Sequence, residues 1–149
     1  MPNPDCPLCQ SDTQSVLVLR PGWRIVDAAD PLFPGFTRVI WHSHVKEMTD
    51  LSSNERKELM GVVFAVEQIM RDTLKPDKIN LASLGNQVPH LHWHVIARWH
   101  NDPTFPGAVW GPTNPLNEPT AAWSKHLDMQ QRLSVYHAAL RDQLWNRFE

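Results

Sequence analysis

The spacing of apolar residues differs between segments of the chain, and this difference distinguishes a predicted helix from predicted strands. Between residues 52 and 75 the apolar side chains recur every three or four positions, which is typical of the buried face of one helix. These positions are Leu59, Val62, Val63, Val66, Ile69 and Met70. Ser52 and Glu55 have the spacing of a capping box, so we expect the helix to begin near Ser52 and to end before Pro76.

Shorter apolar runs, rich in β-branched and aromatic residues, predict strands. Two such runs within residues 15–28 are separated by Pro21-Gly22, which is typical of a hairpin. Further strands are expected at 36–41, at 78–83 and within 88–99. The sheet should therefore be built from a hairpin and three additional strands.

The amino-acid composition of the chain changes after residue 98. Pro, Gly and Asn are frequent up to about residue 120 and predict irregular structure, whereas residues 124–147 predict a last helix. Its apolar positions available for packing are Leu127, Leu133, Val135, Leu140 and Leu144. The order of strands, helix, strands and tail helix favours an α+β fold, with an antiparallel sheet packed against one main helix. We expect a single domain over 1–149, with an arm at 1–13, a core at 15–110 and a C-terminal extension at 111–149.

Composition and charge narrow the function classes. A length of 149 residues suits one domain with a sizeable core. The net charge of −2 gives no sign of the excess of basic residues that proteins use to bind duplex nucleic acid. The chain has no long apolar run, and its polar, Pro-rich start does not look like a signal peptide. We therefore expect a cytoplasmic protein that does not span a membrane.

Three histidines occupy alternate positions in the segment VPHLHWHVIARW, residues 88–99. Successive side chains of a strand alternate between faces, so His90, His92 and His94 should share one face while Leu91, Trp93 and Val95 look into the core. A half-buried strand with a chance row of histidines is the plain alternative. A single metal held by all three is disfavoured, because His90 and His94 start about 13 Å apart and zinc bonds are near 2 Å.

A phosphate site is the remaining interpretation of the row. Neutral imidazole can attack phosphorus through one nitrogen while an acceptor holds the other nitrogen and fixes the tautomer. The preceding loop suits this chemistry, since Gly85 lets the backbone come close, and Asn86 and Gln87 supply amide donors for phosphate oxygens.

The two cysteines, Cys6 and Cys9, form one Cys-x-x-Cys pair near the start of the chain. A redox pair is expected between a strand and a helix, and no apolar strand precedes this one. A zinc site needs four ligands, and the cysteine pair supplies two of them. Free thiols on a flexible arm are the third interpretation.

The segment HLHWHVI resembles the central motif of the histidine triad family of nucleotide hydrolases and transferases. The flanks RVIWHSHVKEMTDLS and KINLASLGN are also similar to segments of that family, and the resemblance covers roughly residues 15–110. It implies a nucleotide-binding enzyme that cleaves at the α-phosphate of a dinucleoside polyphosphate or a nucleoside phosphoramidate. It also implies a nucleotidyl-histidine intermediate and a homodimer.

The resemblance assigns roles to individual residues. His92, the middle histidine, would be the nucleophile, and His94 would contact the phosphate. The phosphate oxygens would be held by Asn86 and Gln87, and by Asn80 further upstream. Asp27 would hold the ribose hydroxyls, with Asp30 as the alternative because the loop after Asp27 is longer than in the family.

Some members of the family, and related uridylyltransferases, bind zinc through two cysteines, a histidine after a strand and the first triad histidine. The matching residues are Cys6, Cys9, His44 and His90, so the resemblance implies a structural Zn²⁺ that anchors residues 1–13 as a zinc-knuckle arm. His42 is a rival ligand, although we expect it on the surface.

The sequence leaves the roles of several other residues undecided. Arg98 either meets a phosphate or pairs on the surface, and Trp99 and Trp110 either wall a base pocket or form a dimer contact. His100, His126 and His137 have no partner in the sequence and are expected to be solvated.

Three functions compete on the sequence alone. The first is a nucleotidyl-histidine hydrolase or transferase, the second a nucleotide-binding regulator without turnover. The third is a zinc-dependent hydrolase in which the triad grips a catalytic metal.

Overall fold

The computed structural model of the chain describes residues 2–10, 15–117 and 127–147. Five strands and two α-helices form in the order β1 (Val16–Leu19), β2 (Trp23–Asp27), β3 (Thr37–Trp41), α1 (Ser53–Leu74), β4 (Lys78–Ala82), β5 (His92–Arg98) and α2 (Leu127–Trp145). The predicted α1 is confirmed, because the Ser52 hydroxyl accepts from the Glu55 N–H while the Glu55 side chain accepts from the Ser52 N–H. The helix ends at Leu74, and its C-cap residue Lys75 adopts a left-handed conformation before Pro76.

The strands form one antiparallel sheet in the order β1-β2-β3-β5-β4. The predicted hairpin joins β1 to β2, and the β3–β5 pairing brings together segments more than fifty residues apart in the sequence. In that pairing Arg38 lies opposite His94, and Ile40 lies opposite His92. The α+β prediction with an antiparallel sheet is therefore confirmed.

Alternation along the strands gives the sheet two different faces. One face packs against the helices through side chains such as Trp23, Ile25, Val39, Val95 and Ala97. The predicted helix stripe is confirmed, since all six of its members are buried in the same cluster. The opposite face of the sheet carries the even-numbered side chains of β2, β3 and β5, which include both strand histidines.

The helix α2 joins this same core instead of extending from it as a tail. Its buried side chains are Met129, Tyr136, Leu140 and Leu144, and it packs against α1 and β1. Val135, predicted to be available for packing, is 57% exposed because it lies on the outer side of the helix. The predicted start at residues 124–126 lies outside the described residues. Neither described helix combines the length and the hydropathy that crossing a membrane requires.

Candidate functional site

The three histidines of the row do not act as one group. Strand β5 begins at His92, so His90 precedes it, and the Leu91 carbonyl accepts from the Trp41 N–H. His92 and His94 share the sheet face that is opposite the helices, whereas the His90 ring is turned toward the N-terminal arm. The predicted inward face is confirmed, since Leu91 and Val95 are buried and Trp93 packs partly against the core.

A cavity of about 440 Å³ opens over His92 and His94. The loop between β4 and β5 forms one wall, Trp110 forms another, and the N-terminal arm contributes Leu8. The residues that line it are Leu8, Arg38, Leu84, Gly85, Asn86, Gln87, Val88, His92, His94 and Trp110. This set places two imidazoles, two amides and one guanidinium around a space large enough for part of a nucleotide.

The His92 ring is held in one orientation by its own chain. Its Nδ1–H donates to the His90 carbonyl oxygen at 2.5 Å, which leaves Nε2 with the free lone pair. The hydroxyl of Ser83 donates to the His92 carbonyl at 2.8 Å and ties the strand to the loop before the triad. Burial lowers the pKa of His92, and the nearby Arg38 charge lowers it further, against the opposing effect of the His90 carbonyl.

His94 is enclosed by aromatic rings. Phe36 and Trp110 meet it edge-on, with ring centroids 5.5 and 5.0 Å away, and the His92 ring lies at 5.0 Å. Burial, with the charges of His92 and Arg38, lowers the pKa of His94 to about 4. Its Nδ1 is buried without a hydrogen-bond partner among the described residues, so the ring has unused hydrogen-bonding capacity.

The loop before the triad presents its polar residues to the cavity. Gly85 has a φ of +72°, a left-handed conformation that favours glycine, and Asn86 and Gln87 follow it with exposed side chains. The structure thus brings these two predicted phosphate ligands together with His92 and His94.

Arg38 was missed by sequence reasoning. It lies on β3 directly opposite His94, and its guanidinium sits over the Phe36 ring at 5.6 Å from the centroid. The available signal was a single charge inside the apolar run FTRVIW. That signal has meaning only when the β3–β5 register is known, because the register decides which residue faces the triad.

The predicted metal ligands converge at one point. Cys6, Cys9, His44 and His90 each offer a ligand atom, and these four atoms all lie within 4.8 Å of one another. The Cys9 sulfur lies 3.2 Å from Nδ1 of His44 and 3.4 Å from Nδ1 of His90, and the two Nδ1 atoms are 3.2 Å apart. Tetrahedral zinc with bonds of about 2.3 Å to sulfur and about 2.0 Å to nitrogen has ligand edges of about 3.3–3.8 Å, which is close to these separations. The donor set and its spacing therefore fit Zn²⁺.

Interactions around the ligands hold this arrangement. The Nε2–H of His90 donates to the Trp41 carbonyl at 2.6 Å, which leaves Nδ1 as the coordinating nitrogen. The Arg24 guanidinium donates to the Leu8 carbonyl at 2.8 Å and binds the arm to the sheet. His42 is exposed and is not part of the cluster, in agreement with the prediction that it lies on the surface.

The structure does not bring Asp27 to the cavity. Asp27 is an odd-numbered residue of β2, so its side chain projects from the helix face, where one carboxylate oxygen lies 3.8 Å from His137. The other oxygen accepts from the Ala29 N–H at 2.8 Å. The alternative, Asp30, accepts from the Leu32 N–H and does not line the cavity either. The ribose role expected for an aspartate at this position has no geometric support here.

Two of the three remaining histidines are described. His100 is 76% exposed beside Asp77, as expected for a solvated side chain. His137 was expected to be solvated, but it is only 20% exposed and lies on α2 beside Asp27, so its pKa is lowered by burial. His126 lies outside the described residues.

Asn80 and Arg98 bond to each other next to the cavity. Nη1 of Arg98 donates to the Asn80 amide oxygen at 2.8 Å, and Asn80 lines a neighbouring recess that shares Trp110 with the main cavity. The phosphate role of Asn80 remains a prediction. Neither predicted role of Arg98 is correct, because it is buried between the rings of Phe33 and Phe105.

Arg98 and Asp102 organise the segment that carries Trp110. Nε and Nη2 of Arg98 donate to the two oxygens of the buried Asp102 carboxylate, at 2.7 and 3.0 Å. The same carboxylate accepts from the N–H groups of Trp99, Thr104 and Phe105. Trp99 is buried in the core, whereas Trp110, 52% exposed, lines the cavity. Of the two tryptophans considered for a pocket wall or a dimer contact, only Trp110 lies at the cavity.

We expect Arg98→Met to lower the free energy of unfolding by about 3 kcal/mol, because it leaves a buried carboxylate without its charge partner. Urea denaturation of the purified chain measures this change. Arg132→Met is the matched control: its ion pair with Asp128 is 42% and 60% exposed, so its loss should cost less than about 1 kcal/mol. Equal losses in the two variants would contradict an organising role for Arg98.

A five-stranded antiparallel sheet with a His-x-His-x-His segment at the start of β5, over a cavity, is the arrangement of a histidine triad protein. Comparison with family models agrees, because the HIT domain model matches residues 11–101. The chain belongs to the HIT family.

Known relatives support the same assignment. The AP-4-A phosphorylase of Mycobacterium tuberculosis is 30% identical over 81 residues, which is 50% of this chain and 42% of that protein, so the chain matches less than half of the relative's length. The crystal structure of a histidine triad protein from Bradyrhizobium japonicum superimposes with a TM-score of 0.67 at 28% identity, covering 87% of this chain and 90% of that one. A Zn-bound histidine triad family protein from Mycobacterium smegmatis shares the fold, with a TM-score of 0.60 at 19% identity over 93% of this chain and 95% of that one.

Proposed function

We propose that this chain is a nucleotidyl-histidine hydrolase or transferase that cleaves a dinucleoside polyphosphate or a nucleoside phosphoramidate at the α-phosphorus. The supporting observation is the His92 ring, whose Nδ1 is engaged by the His90 carbonyl while the ring lines a cavity with His94, Asn86 and Gln87. The similarity to an AP-4-A phosphorylase supports a nucleotide with a phosphate chain.

The reaction follows from this arrangement. Nε2 of His92 forms a bond to the α-phosphorus, and the bond from phosphorus to the bridging oxygen or nitrogen breaks, so the leaving group departs with the electron pair. The amides of Asn86 and Gln87 hold the non-bridging oxygens, and His94 contacts them from the strand. Water, or another acceptor in a transferase, then attacks the same phosphorus. The P–N bond breaks, a proton from the acceptor is released, and neutral His92 is regenerated.

The Cys2His2 cluster has a structural role in this proposal. Zinc bound by Cys6, Cys9, His44 and His90 would anchor the arm, and the arm carries Leu8 into the cavity wall. A zinc-dependent hydrolase in which the triad grips the metal is disfavoured, because His90 turns its Nδ1 to the cysteines while His92 bonds to the backbone.

A trapping experiment tests the intermediate. The protein is mixed with a panel of nucleotide conjugates carrying a label on the α-phosphate, and the reaction is stopped within one turnover. We expect label on the protein that is labile in acid, stable in base and located on His92 by peptide mapping. Product release without any protein-bound label would refute the covalent route, and nucleotide binding without turnover would favour the regulator.

The homodimer remains a prediction. Sedimentation equilibrium of the zinc-loaded chain at micromolar concentration measures it directly. We expect a mass of two chains, and a single-chain mass over the whole concentration range would contradict the prediction.

A further inference from the structure

Arg38 carries a positive charge in the cavity wall that no acid of the described chain balances. The cavity lining contains no carboxylate, and in the part of the chain described here the Arg38 guanidinium has neither a hydrogen bond nor an ion pair. The guanidinium lies over the face of Phe36, 5.6 Å from the ring centroid, and this contact holds it without satisfying its N–H donors. A partly buried guanidinium with free donors is suited to bind an anion.

The position of Arg38 relative to the triad indicates which part of a substrate it meets. Arg38 lies opposite His94 on the adjacent strand, and Ile40 lies opposite His92. Cβ atoms of directly opposed residues are about 5 Å apart, and neighbours along a strand that share a face are about 7 Å apart. Arg38 therefore lies beside His94 and is offset along the strand from His92, where a phosphate next to the one that His92 attacks can reach it.

The two substrate classes of the proposed function differ in what occupies that position. When a dinucleoside polyphosphate reacts, the group leaving the α-phosphorus is itself a chain of anionic phosphates. When a phosphoramidate reacts, the leaving group is an amine, which has no negative charge to pair with a guanidinium. An amine must also take up a proton as it departs, whereas a polyphosphate leaves ionised at neutral pH.

We propose that Arg38 binds the phosphate chain beyond the α-phosphate, and that this site selects dinucleoside polyphosphates over phosphoramidates. The inference rests on the proposed function, because it concerns the leaving-group side of the same cavity. Arg38 is then a specificity-determining residue that touches substrate, and it acts most strongly where the leaving group is anionic.

The test compares two substrates that contain the same nucleoside but have different leaving groups. The ratio kcat/KM is measured for a dinucleoside tetraphosphate and for the 5′-phosphoramidate of the same nucleoside, with the wild-type protein and with Arg38→Gln. We expect Arg38→Gln to lower kcat/KM by about 10- to 100-fold on the tetraphosphate, and by less than about threefold on the phosphoramidate. Arg38→Lys should recover part of the loss, since it keeps the charge but not the planar fork. An equal fall on both substrates, or no fall on either, would overturn the proposal.

A control variant and a binding measurement separate this result from failure of the proposed function. Arg71→Gln removes one positive charge from an exposed site on α1 and should leave the substrate ratio unchanged. Calorimetry with inorganic tripolyphosphate measures binding without turnover, and we expect the Arg38→Gln variant to bind it about 10-fold more weakly than the wild type. If the wild type turned over neither substrate, the enzyme proposal would fail. The calorimetry would then decide whether Arg38 binds anions. Equal affinities of the wild type and the Arg38→Gln variant for tripolyphosphate would overturn that part of the proposal too.

Discussion

His92→Asn is expected to abolish turnover while leaving nucleotide binding nearly intact. Asparagine keeps a polar side chain near the strand position but has no nitrogen lone pair that can attack phosphorus, so kcat should fall by at least about 10⁴-fold. Steady-state kinetics on a labelled nucleotide conjugate measures the loss. Equilibrium dialysis of the same nucleotide should give a dissociation constant close to that of the wild type.

The control for this variant is His100→Asn, because His100 is an exposed histidine that lies outside the cavity. It should retain wild-type kcat and KM. Substantial turnover by His92→Asn would mean that another group attacks the phosphorus, and the proposed intermediate would be wrong. Because the His94 ring packs against His92, thermal unfolding of each variant should be recorded to show that the fold is unchanged.

Loss of one cluster ligand is expected to cost the protein most of its zinc and about 10 °C of thermal stability. His44→Asn removes one of four ligands and leaves a weaker three-ligand site. A metal present at about 1,000 times its dissociation constant stabilises the folded state by about 4 kcal/mol, and in a chain of this size each kcal/mol corresponds to about 2–4 °C. Elemental analysis measures zinc per chain, and calorimetry measures the Tm.

His42→Asn is the matched control for the zinc prediction, because it makes the same substitution two residues away on an exposed side chain. It should keep one zinc per chain and the wild-type Tm. Equal zinc content in the His44 and His42 variants would contradict the proposed ligand set. Chelation of the wild type should lower its Tm in the same way. Activity should decline together with release of the arm, since Leu8 belongs to the cavity wall.

The row of histidines shows how far local sequence can be interpreted. Alternation predicts that His92 and His94 share a face, and this holds because both belong to β5. His90 follows the same alternation in the sequence but precedes the strand, and its ring points to the cysteines 81 and 84 residues earlier. Here the resemblance to a known family supplied the separate role of His90, which spacing alone left open.

Asp27, Arg38 and Arg98 show where the local pattern does not decide a role. The side of the sheet to which Asp27 and Arg38 project depends on strand boundaries and on the β2–β3–β5 register, which place Arg38 beside His94 and Asp27 beside α2. Arg98 faces an aspartate four residues away, but its burial follows from how the segment after β5 folds back over the sheet. No short window of sequence contains that information.

The sequence by itself determined the class of fold and the extent of α1, because these depend on local periodicity and on capping, which can be recognised before the chain is folded. The nucleophile candidate and the four metal-ligand candidates came from the resemblance of its motifs to a known family. The tertiary structure alone decided which side chains share the cavity, the inclusion of α2 in the core and the exclusion of Asp27 from the cavity. Those outcomes depend on strand register and on contacts between distant segments, because a shift of one residue moves every side chain of a strand to the other face.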